Sequence, residues 1–561
     1  MRTLDVESAI RPWIPGALLV VLSLALGVAP GVAFAQADTA GPAPSDWRTY
    51  NRTLQGDRYS PLDQITAANV ASLRQVCTYD LKDTLSFQTG PLVVDGVMYF
   101  TTDSATYAMD AATCERRWQR GTGQPLTYLR VNRGAAFDGG RLFRGVGPGR
   151  VHALDARTGA VVWDVALDLE PGAYVSMAPI AWNGLVFIGN AGGDAKGVRG
   201  KVYALDQRDG KLVWRFVTIP DTGRARESWQ NREDMPPTGG AFWTTFGLDP
   251  RQGVLYVPAG NPAPDFFPEM RPGQNLYTNS VIALDARTGR MMGYIQVVRN
   301  DFHDWDVSTG PVVLTTRGGR PLVASANKDG LLSGIDRSRV GRERAPLPGG
   351  RQSIIPPLRT LVMAFQTPTT TRENVDVQFH IGGDVRFCPG FLGGSEWNGP
   401  SYHPGTNLLV IGAVDRCATM RRMHPDSLVV EAGQPWAGGE DPNNPYGVPD
   451  DMANSRGWIT AIDADSGTVR WKHESDLPTI AGVTTTAGGL VFTGQLTGEA
   501  IALDLRDGKV LWRDQTGNAI GGGVITYAVG GKQYVAVAAG LKGALWPAPV
   551  QSNRIVVYAL P

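Results

Sequence analysis

Apolar and polar residues alternate with a period of two through one short phrase that recurs along the chain: an apolar strand, Ala-x-Asp, a Gly-containing turn, and a second apolar strand ending in Trp. It reads HALDARTGAVVW at 152–163, YALDQRDGKLVW at 203–214, TAIDADSGTVRW at 460–471 and IALDLRDGKVLW at 501–512. YAMDAATCERRW at 107–118 puts Cys114 where the turn glycine belongs, IALDARTGRMMGY at 282–294 ends in Gly293-Tyr294, and SGIDRS at 333–338 keeps only the opening. The phrase predicts a hairpin in which Asp caps the turn and Gly takes the positive φ angle. Its Trp is too large to bury within one sheet and predicts packing between neighbouring sheets, which under radial repetition makes a continuous core. The expected fold is all-β, an eight-bladed β-propeller with tryptophan-docking repeats. About 525 mature residues accommodate eight long blades with insertions. The widest gap between repeat aspartates, 336 to 463, predicts a degenerate blade there, and the closing strand RIVVYALP (554–561) predicts a last blade completed by N-terminal residues.

The N-terminus departs from this pattern. Arg2 and Arg11 precede an apolar run over 17–29 and a small-x-small site at Ala33-Phe34-Ala35, the layout of an export signal. Residues 1–35 are therefore expected to be a signal peptide and 36–561 a single propeller domain in the periplasm; an uncleaved anchor is the alternative. No second apolar stretch is long enough to span a bilayer. The 53 basic and 53 acidic side chains balance, which excludes an electrostatic footprint for nucleic acid or an anionic membrane. Gly 69 and Pro 39 are spread along the chain, as many short strands and tight turns require. The four cysteines, Cys77, Cys114, Cys388 and Cys417, imply two disulfides in an exported chain. Proximity in sequence favours Cys77–Cys114 and Cys388–Cys417 among the three possible pairings. Neither a haem-attachment spacing nor a zinc spacing occurs.

These repeats resemble those of the quinoprotein alcohol and methanol dehydrogenases, which use pyrroloquinoline quinone (PQQ). The similarity runs from DWRTYNRTLQGDRYSPLDQI (46–65) to GGGVITYAVGGKQYVAVAAG (521–540). PQQ is a flat ortho-quinone with three carboxylates, so its site needs an aromatic floor, cations and a metal. The resemblance implies Trp243 of GGAFWTTFGLDP as the stacking floor. It implies Arg133 of VNRG and Lys328 of NKDG as cations, Gln88 of SFQTGP at the rim, Ser176 of YVSMAP facing a carboxylate, and Trp397 and Asn398 of SEWNGP near the cofactor. Asn261 of AGNPAP and Asp194 of GNAGGDAKGVRG stand at metal-ligand places, the latter where relatives usually offer Glu. NDFHDWDVSTGP (300–311) supplies the acids: one register makes Asp304 the catalytic base and metal ligand with Asp306 two residues on, and a register fixed on Trp305 makes Asp306 the base. The vicinal cysteines of many relatives are replaced by Thr127 and Tyr128, and an expected Trp by Ile480.

The resemblance thus implies an alcohol, polyol or sugar dehydrogenase. Asp304 takes the hydroxyl proton, hydride passes to the quinone C5, and a metal polarises the C5 oxygen. Calcium is the expected ion, and the second acid Asp306 hints at a lanthanide. With no haem motif in the chain, electrons are expected to leave to a separate acceptor, a c-type cytochrome. The alternative is a non-catalytic propeller serving as a binding or assembly scaffold, which the altered Asp194 segment and missing vicinal cysteines favour.

Overall fold

A computed structural model describes residues 42–123, 129–231, 235–340, 361–543, 545–546 and 551–561. The expected leader 1–35 and the pair Thr127 and Tyr128 lie outside the described residues. Among the described residues the strands form eight sheets of four or five strands, with one two-stranded and one three-stranded ribbon besides. In chain order the first seven sheets span 92–121, 136–166, 180–217, 247–296, 312–368, 401–475 and 484–515. The eighth joins Ile520–Val529, Lys532–Ala539 and Arg554–Ala559 to the N-terminal strand Arg74–Asp80, so the last sheet is completed from the other end of the chain, as the closing strand predicts. No helix among the described residues is long and apolar enough to cross a membrane.

The recurring phrase forms the two outer strands of a sheet and the turn between them. In the turns the aspartate carboxylate accepts backbone N–H groups, as Asp206 does from Arg208 at 2.8 Å and Asp285 from Arg287 at 3.0 Å. The following glycine holds a positive φ, +75° at Gly210 and +71° at Gly289. Geometry alone does not explain that glycine, because the tryptophan of the preceding sheet lies directly on it. A Cβ at Gly159, Gly210, Gly289 or Gly508 would come within 2.5–2.9 Å of the ring of Trp118, Trp163, Trp214 or Trp471. Each of these indoles also donates its N–H to a carbonyl in the same turn of the next sheet: Trp118 to Ala156 at 3.0 Å, Trp163 to Gln207 at 2.9 Å, Trp214 to Ala286 at 3.1 Å and Trp471 to Leu505 at 2.9 Å. Thus the Trp of one repeat and the Gly of the next form one dock.

Where the phrase degenerates, another contact holds the seam. The fourth sheet has Gly293 opposite Ala283, the register place of Trp214 opposite Ala204. The buried pair Arg337–Asp249, at 2.8 Å, joins it to the fifth sheet instead. The fifth sheet carries Phe365 at the tryptophan place, seated on Gly467 of the sixth. No additional sheet lies between Asp336 and Asp463 among the described residues: that interval holds the last strand of the fifth sheet, the three-stranded ribbon and the opening strands of the sixth, so an insertion and not the expected degenerate blade widens it, and the sheet that lacks the phrase is the eighth. At the junction of the eighth sheet with the first, Cys77 holds the tryptophan's register place opposite Val557, Cys114 holds the glycine's place with φ +62°, and the two are joined as a disulfide. The second bridge, Cys388–Cys417, staples the ribbon strands Asp384–Phe387 and Ala418–Arg421. Apolar side chains fill every interval between consecutive sheets, including that between the eighth and the first, where Ile525, Tyr527 and Val557 meet Val93, Phe100 and Tyr107.

Two substitutions separate the parts of the dock. Trp214→Ala is expected to lower unfolding stability by about 3–5 kcal/mol through lost burial and the cavity left behind. Trp214→Phe keeps most of the apolar area but strands the Ala286 carbonyl, and is expected to cost about 1 kcal/mol beyond its loss of contact. Denaturant titration of both reads the difference: a Trp214→Phe cost no larger than its lost contact would show that the indole N–H contributes nothing, and a cost equal to that of Trp214→Ala would show that the ring packing contributes nothing.

Candidate active site

The candidate residues come from two kinds of loop at one end of the sheets: those entering a first strand, and those joining second to third strands. Gln88, Arg133, Ser176, Trp243, Asp304, Asp306, Trp397 and Asn398 lie just before first strands. Asp194, Asn261 and Lys328 lie between second and third strands. Because adjacent strands are antiparallel, the end at which one strand starts is the end at which the next one finishes. Both loop sets therefore gather at one end of the assembly.

At their centre is a buried cluster of carboxylates around one ammonium. Lys328 Nζ lies 3.2 Å from Asp304 Oδ2 and 2.9 Å from Asp306 Oδ2. Burial disfavours that charge, but Asp304 and Asp306 outweigh it and hold the ammonium protonated well above the usual lysine range. Asp306 is engaged at both oxygens, since its Oδ1 accepts the backbone N–H of Asn261 at 3.0 Å. That approach needs Gly260: a Cβ there would meet Asp306 Oδ1 at 2.5 Å. Asp304 sits at φ +64° and its Oδ1, buried, has no hydrogen-bond partner. The segment is shaped by Asp301, which accepts the N–H groups of His303 and Trp305, each at 3.1 Å. His303 stacks on Trp305 with centroids 3.9 Å apart, a structural place.

Asp194, Asp304 and a third acid, Asp265, bring one oxygen each to within 4.8 Å of one another. Asn261 donates from Nδ2 to Asp265 Oδ1 at 2.9 Å, which leaves Asp265 Oδ2 buried and unpartnered. Burial first, then the neighbouring carboxylates, pushes the Asp265 carboxyl well above the usual range. Burial does the same at Asp304, and Asp194 is raised to about 6 by burial and then by Asp306. Three acids this close cannot all ionise without a cation. The oxygen-only donor set, with orphaned oxygens on Asp265 and Asp304, fits a hard metal ion such as calcium or a lanthanide.

Beside the acids lies an aromatic and cationic wall. The Arg133 guanidinium lies 4.8 Å from the Trp243 ring centroid and 5.1 Å from that of Trp397, and Lys328 Nζ is 5.8 Å from the Trp243 ring. Arg133 Nη1 donates to Ser176 Oγ at 2.9 Å and to the Trp243 carbonyl at 3.0 Å, while its Nε is buried and unpartnered. Gln88 gives its amide N–H to Ser86 at 3.1 Å and keeps Oε1 without a partner. A flat polyanion on the Trp243 face meets both cations, the Ser176 hydroxyl and the free Arg133 Nε–H, so the wall fits PQQ. Trp397 and Asn398 support this wall. Trp397 donates to the Gly521 carbonyl at 2.9 Å; Asn398 donates to Ile480 and Gly521 carbonyls at 2.9 and 3.2 Å and accepts from Tyr50 at 2.8 Å.

Sequence reasoning missed two acids. Asp265 follows Asn261 by four residues, and that spacing within a Pro-rich loop was the available signal. Glu396 precedes Trp397 in the apolar stretch FLGGSEWNGP; it is 7% exposed, with Oε1 unpartnered. Burial raises its carboxyl to about 7, opposed by Lys328 and Arg133 and aided by Asp306. A lone acid in an apolar loop was its only mark.

This geometry has relatives. The PQQ family profile, glucose/ethanol/alcohol dehydrogenase β-propeller domain, matches residues 47–339, and the profile of an outer membrane protein assembly factor matches 455–548. The chain is 31% identical over 92% of its length, and 76% of the relative's, to the dehydrogenase subunit of a quinone alcohol dehydrogenase from Gluconacetobacter polyoxogenes. It is 29% identical to the quinoprotein alcohol dehydrogenase PedH of Pseudomonas putida, covering 88% of this chain and 86% of the relative. Among solved structures, the quinohemoprotein alcohol dehydrogenase of Comamonas testosteroni superimposes with a TM-score of 0.78 at 26% identity, over 92% of this chain and 80% of that one. With that profile spanning more than half of it and such identity running along nearly all of it, the chain belongs to the PQQ alcohol dehydrogenase family of β-propeller oxidoreductases.

Proposed function

We propose that this protein is an exported, eight-bladed PQQ- and metal-dependent dehydrogenase that oxidises an alcohol, polyol or sugar in the periplasm and hands its electrons to a separate acceptor, a c-type cytochrome. The observation that carries the reading is the convergence of Asp304, Asp306, Lys328, Arg133 and Trp243 on one buried site. The eight sheets, each packed on the next, support eight blades, and the apolar run with its small-x-small site supports export. When bound, PQQ supplies the two-electron acceptor and the metal ion the Lewis acid that polarises it.

The chain's own residues do the rest. Asp304 is the base, because its Oδ1 is the orphaned carboxylate oxygen of the Lys328 pair, whereas both Asp306 oxygens are engaged. Lys328 fixes the Asp304 carboxylate through Oδ2 and shares its charge between Asp304 and Asp306. Asp306 positions Lys328 and the Asn261 loop at once. Arg133, held by Ser176, and Trp243 bind and orient the flat cofactor. Asp194, Asn261 and Asp304 hold the metal. The match of 455–548 to an assembly factor coincides with the phrases TAIDADSGTVRW and IALDLRDGKVLW, which are propeller repeats of no particular chemistry. A scaffold has no use for a buried cluster of acids around a lysine.

Purified protein reconstituted with PQQ and calcium or a lanthanide is expected to gain cofactor absorbance and dye-linked activity across an alcohol and sugar panel. Activity with NAD alone would overturn the reading. Asp304→Asn is expected to lower kcat by about 10²–10⁴-fold with PQQ still bound. If Asp306→Asn abolishes turnover while Asp304→Asn keeps it, the base is Asp306.

Glu396 gives a pH-dependent signature. Its carboxyl is raised from 4.5 to about 7 in the folded protein, so the neutral form is favoured by folding. That contribution is complete below about pH 4.5 and is lost as pH rises through about 7. In metal- and cofactor-free protein, Glu396→Gln is expected to match the parent at pH 4 and to exceed it above pH 7. The excess is a few kcal/mol, because each pH unit between the unfolded and folded values corresponds to about 1.4 kcal/mol. Thermal melts across that range test it, and a pH-independent difference would refute the assignment.

A further inference from the structure

We infer that Asp265 is a ligand of the metal ion, and that its carboxylate, rather than that of Asp306, adapts the site to a trivalent cation. The inference rests on the reading above that a metal is held here, and concerns which of this chain's side chains hold it. Asp306 is a poor candidate: Oδ1 accepts the Asn261 N–H at 3.0 Å and Oδ2 takes the Lys328 ammonium at 2.9 Å. Both of its oxygens already carry a donor, whereas Asp265 and Asp304 each keep a buried oxygen with none.

Asp265 is placed in the opposite way. It is 0% exposed, its Oδ2 has no hydrogen-bond partner, and it shares with Asp194 and Asp304 the only trio of acids among the described residues whose ligand atoms lie within 4.8 Å of one another. Its Oδ1 accepts Asn261 Nδ2 at 2.9 Å. That bond fixes the amide so that the Asn261 carbonyl oxygen is not spent on Asp265. A buried carboxylate oxygen with neither water nor a donor is costly unless a cation completes it. The arginine on the same loop does not do so: Arg271 donates to the backbone carbonyls of Pro264 and Asp265, at 2.9 Å each, and not to the Asp265 carboxylate. It therefore braces the loop that carries the acid.

The charges then sort by partner. Lys328 pairs with both Asp304 and Asp306, so its single charge leaves the four carboxylates Asp194, Asp265, Asp304 and Asp306 with three negative charges in excess for one ion. A trivalent ion matches that excess, whereas a divalent ion leaves one buried charge uncompensated. Attraction to each ligand scales with the ion's charge, so removal of one carboxylate weakens a trivalent ion more than a divalent one.

The test uses the full mature chain, with and without PQQ, titrated with Tb³⁺ and followed by indole-sensitised luminescence, with Ca²⁺ measured by competition. Asp265→Asn keeps the shape and the acceptor for Asn261. It is expected to weaken Tb³⁺ at least tenfold and Ca²⁺ by no more than about threefold, and to admit one additional inner-sphere water by luminescence lifetimes in H₂O and D₂O. Asp265→Glu is expected to recover part of the Tb³⁺ affinity, and Asp306→Asn to leave the water count unchanged. Unchanged affinity and hydration in both Asp265→Asn and Asp265→Ser would overturn the ligand assignment, equal losses for both ions would overturn the charge preference, and hydration that changes only in Asp306→Asn would transfer the role to Asp306. Absence of Tb³⁺ and Ca²⁺ binding by the parent chain would instead sink the metal-dependent reading itself.

Discussion

The assembly depends on the contact of one indole with one turn. A sheet built from the recurring phrase has two apolar faces and cannot bury both alone. The tryptophan at the end of the phrase lies on the glycine of the next copy and donates to the carbonyl beside it, as Trp214 does with Gly289 and Ala286. That contact fixes distance, since no Cβ fits between ring and turn, and the hydrogen bond fixes orientation. With both set, each sheet positions its successor, and the loops at one end converge with little tolerance. Arg133, Trp243 and Asp304, which belong to loops of different sheets, can share a site only because the seams between those sheets are held, by indole docks up to the fourth sheet and by the Arg337–Asp249 pair between the fourth and fifth.

Where a dock is missing, the substitutes follow the local load. Between the fourth and fifth sheets the Arg337–Asp249 pair is buried and directional, which suits a seam without an aromatic ring. Between the eighth and first, where the two ends of the chain meet, Cys77 and Cys114 occupy the register places of the tryptophan and glycine. A covalent link there restrains the strand Arg74–Asp80, which has no chain connection to the sheet it completes except through the whole succession of sheets. The sequence phrase YAMDAATCERRW already marks Cys114 as the odd turn residue. Its meaning requires knowing that Cys77 lies in the partner strand.

What is legible in the sequence follows from whether a signal is local. Period-two alternation, the capping aspartate, the turn glycine and the terminal tryptophan all lie within twelve residues, so strands, hairpins and repeats can be read directly. Arg133, Trp243, Asn261, Lys328 and Asp304 stand out because their short segments resemble those of a known family, and the structure brings them together. Asp265 and Glu396 do not stand out, since a single acid in an apolar loop is indistinguishable from a surface charge until its burial is known. Nor can the sequence divide labour between Asp304 and Asp306. Their difference lies in partners from distant segments, Lys328 and the Asn261 N–H, which engage Asp306 at both oxygens and leave Asp304 one free.

The charge arrangement of the site is best understood as two subsites that share a lysine. Asp306 shares Lys328 with Asp304 and also closes the Asn261 loop against the Asp304 segment. Asp194, Asp265 and Asp304 form an anionic unit that folding alone leaves undercompensated, because the neighbouring Arg271 spends its donors on carbonyls and on Asn275. Arg133 and Lys328 lie over the Trp243 face and leave that side of the site cationic. The two sides of the site therefore make opposite demands at adjoining places: the acids call for a cation and the Trp243 face for an anion. Glu396 feels groups from both sides, Lys328 and Asp306 of the acid cluster and Arg133 of the aromatic wall. Lys328, which touches the acids and faces the Trp243 ring, is a cation common to both sides, so a charge placed on either side is felt at the other through it.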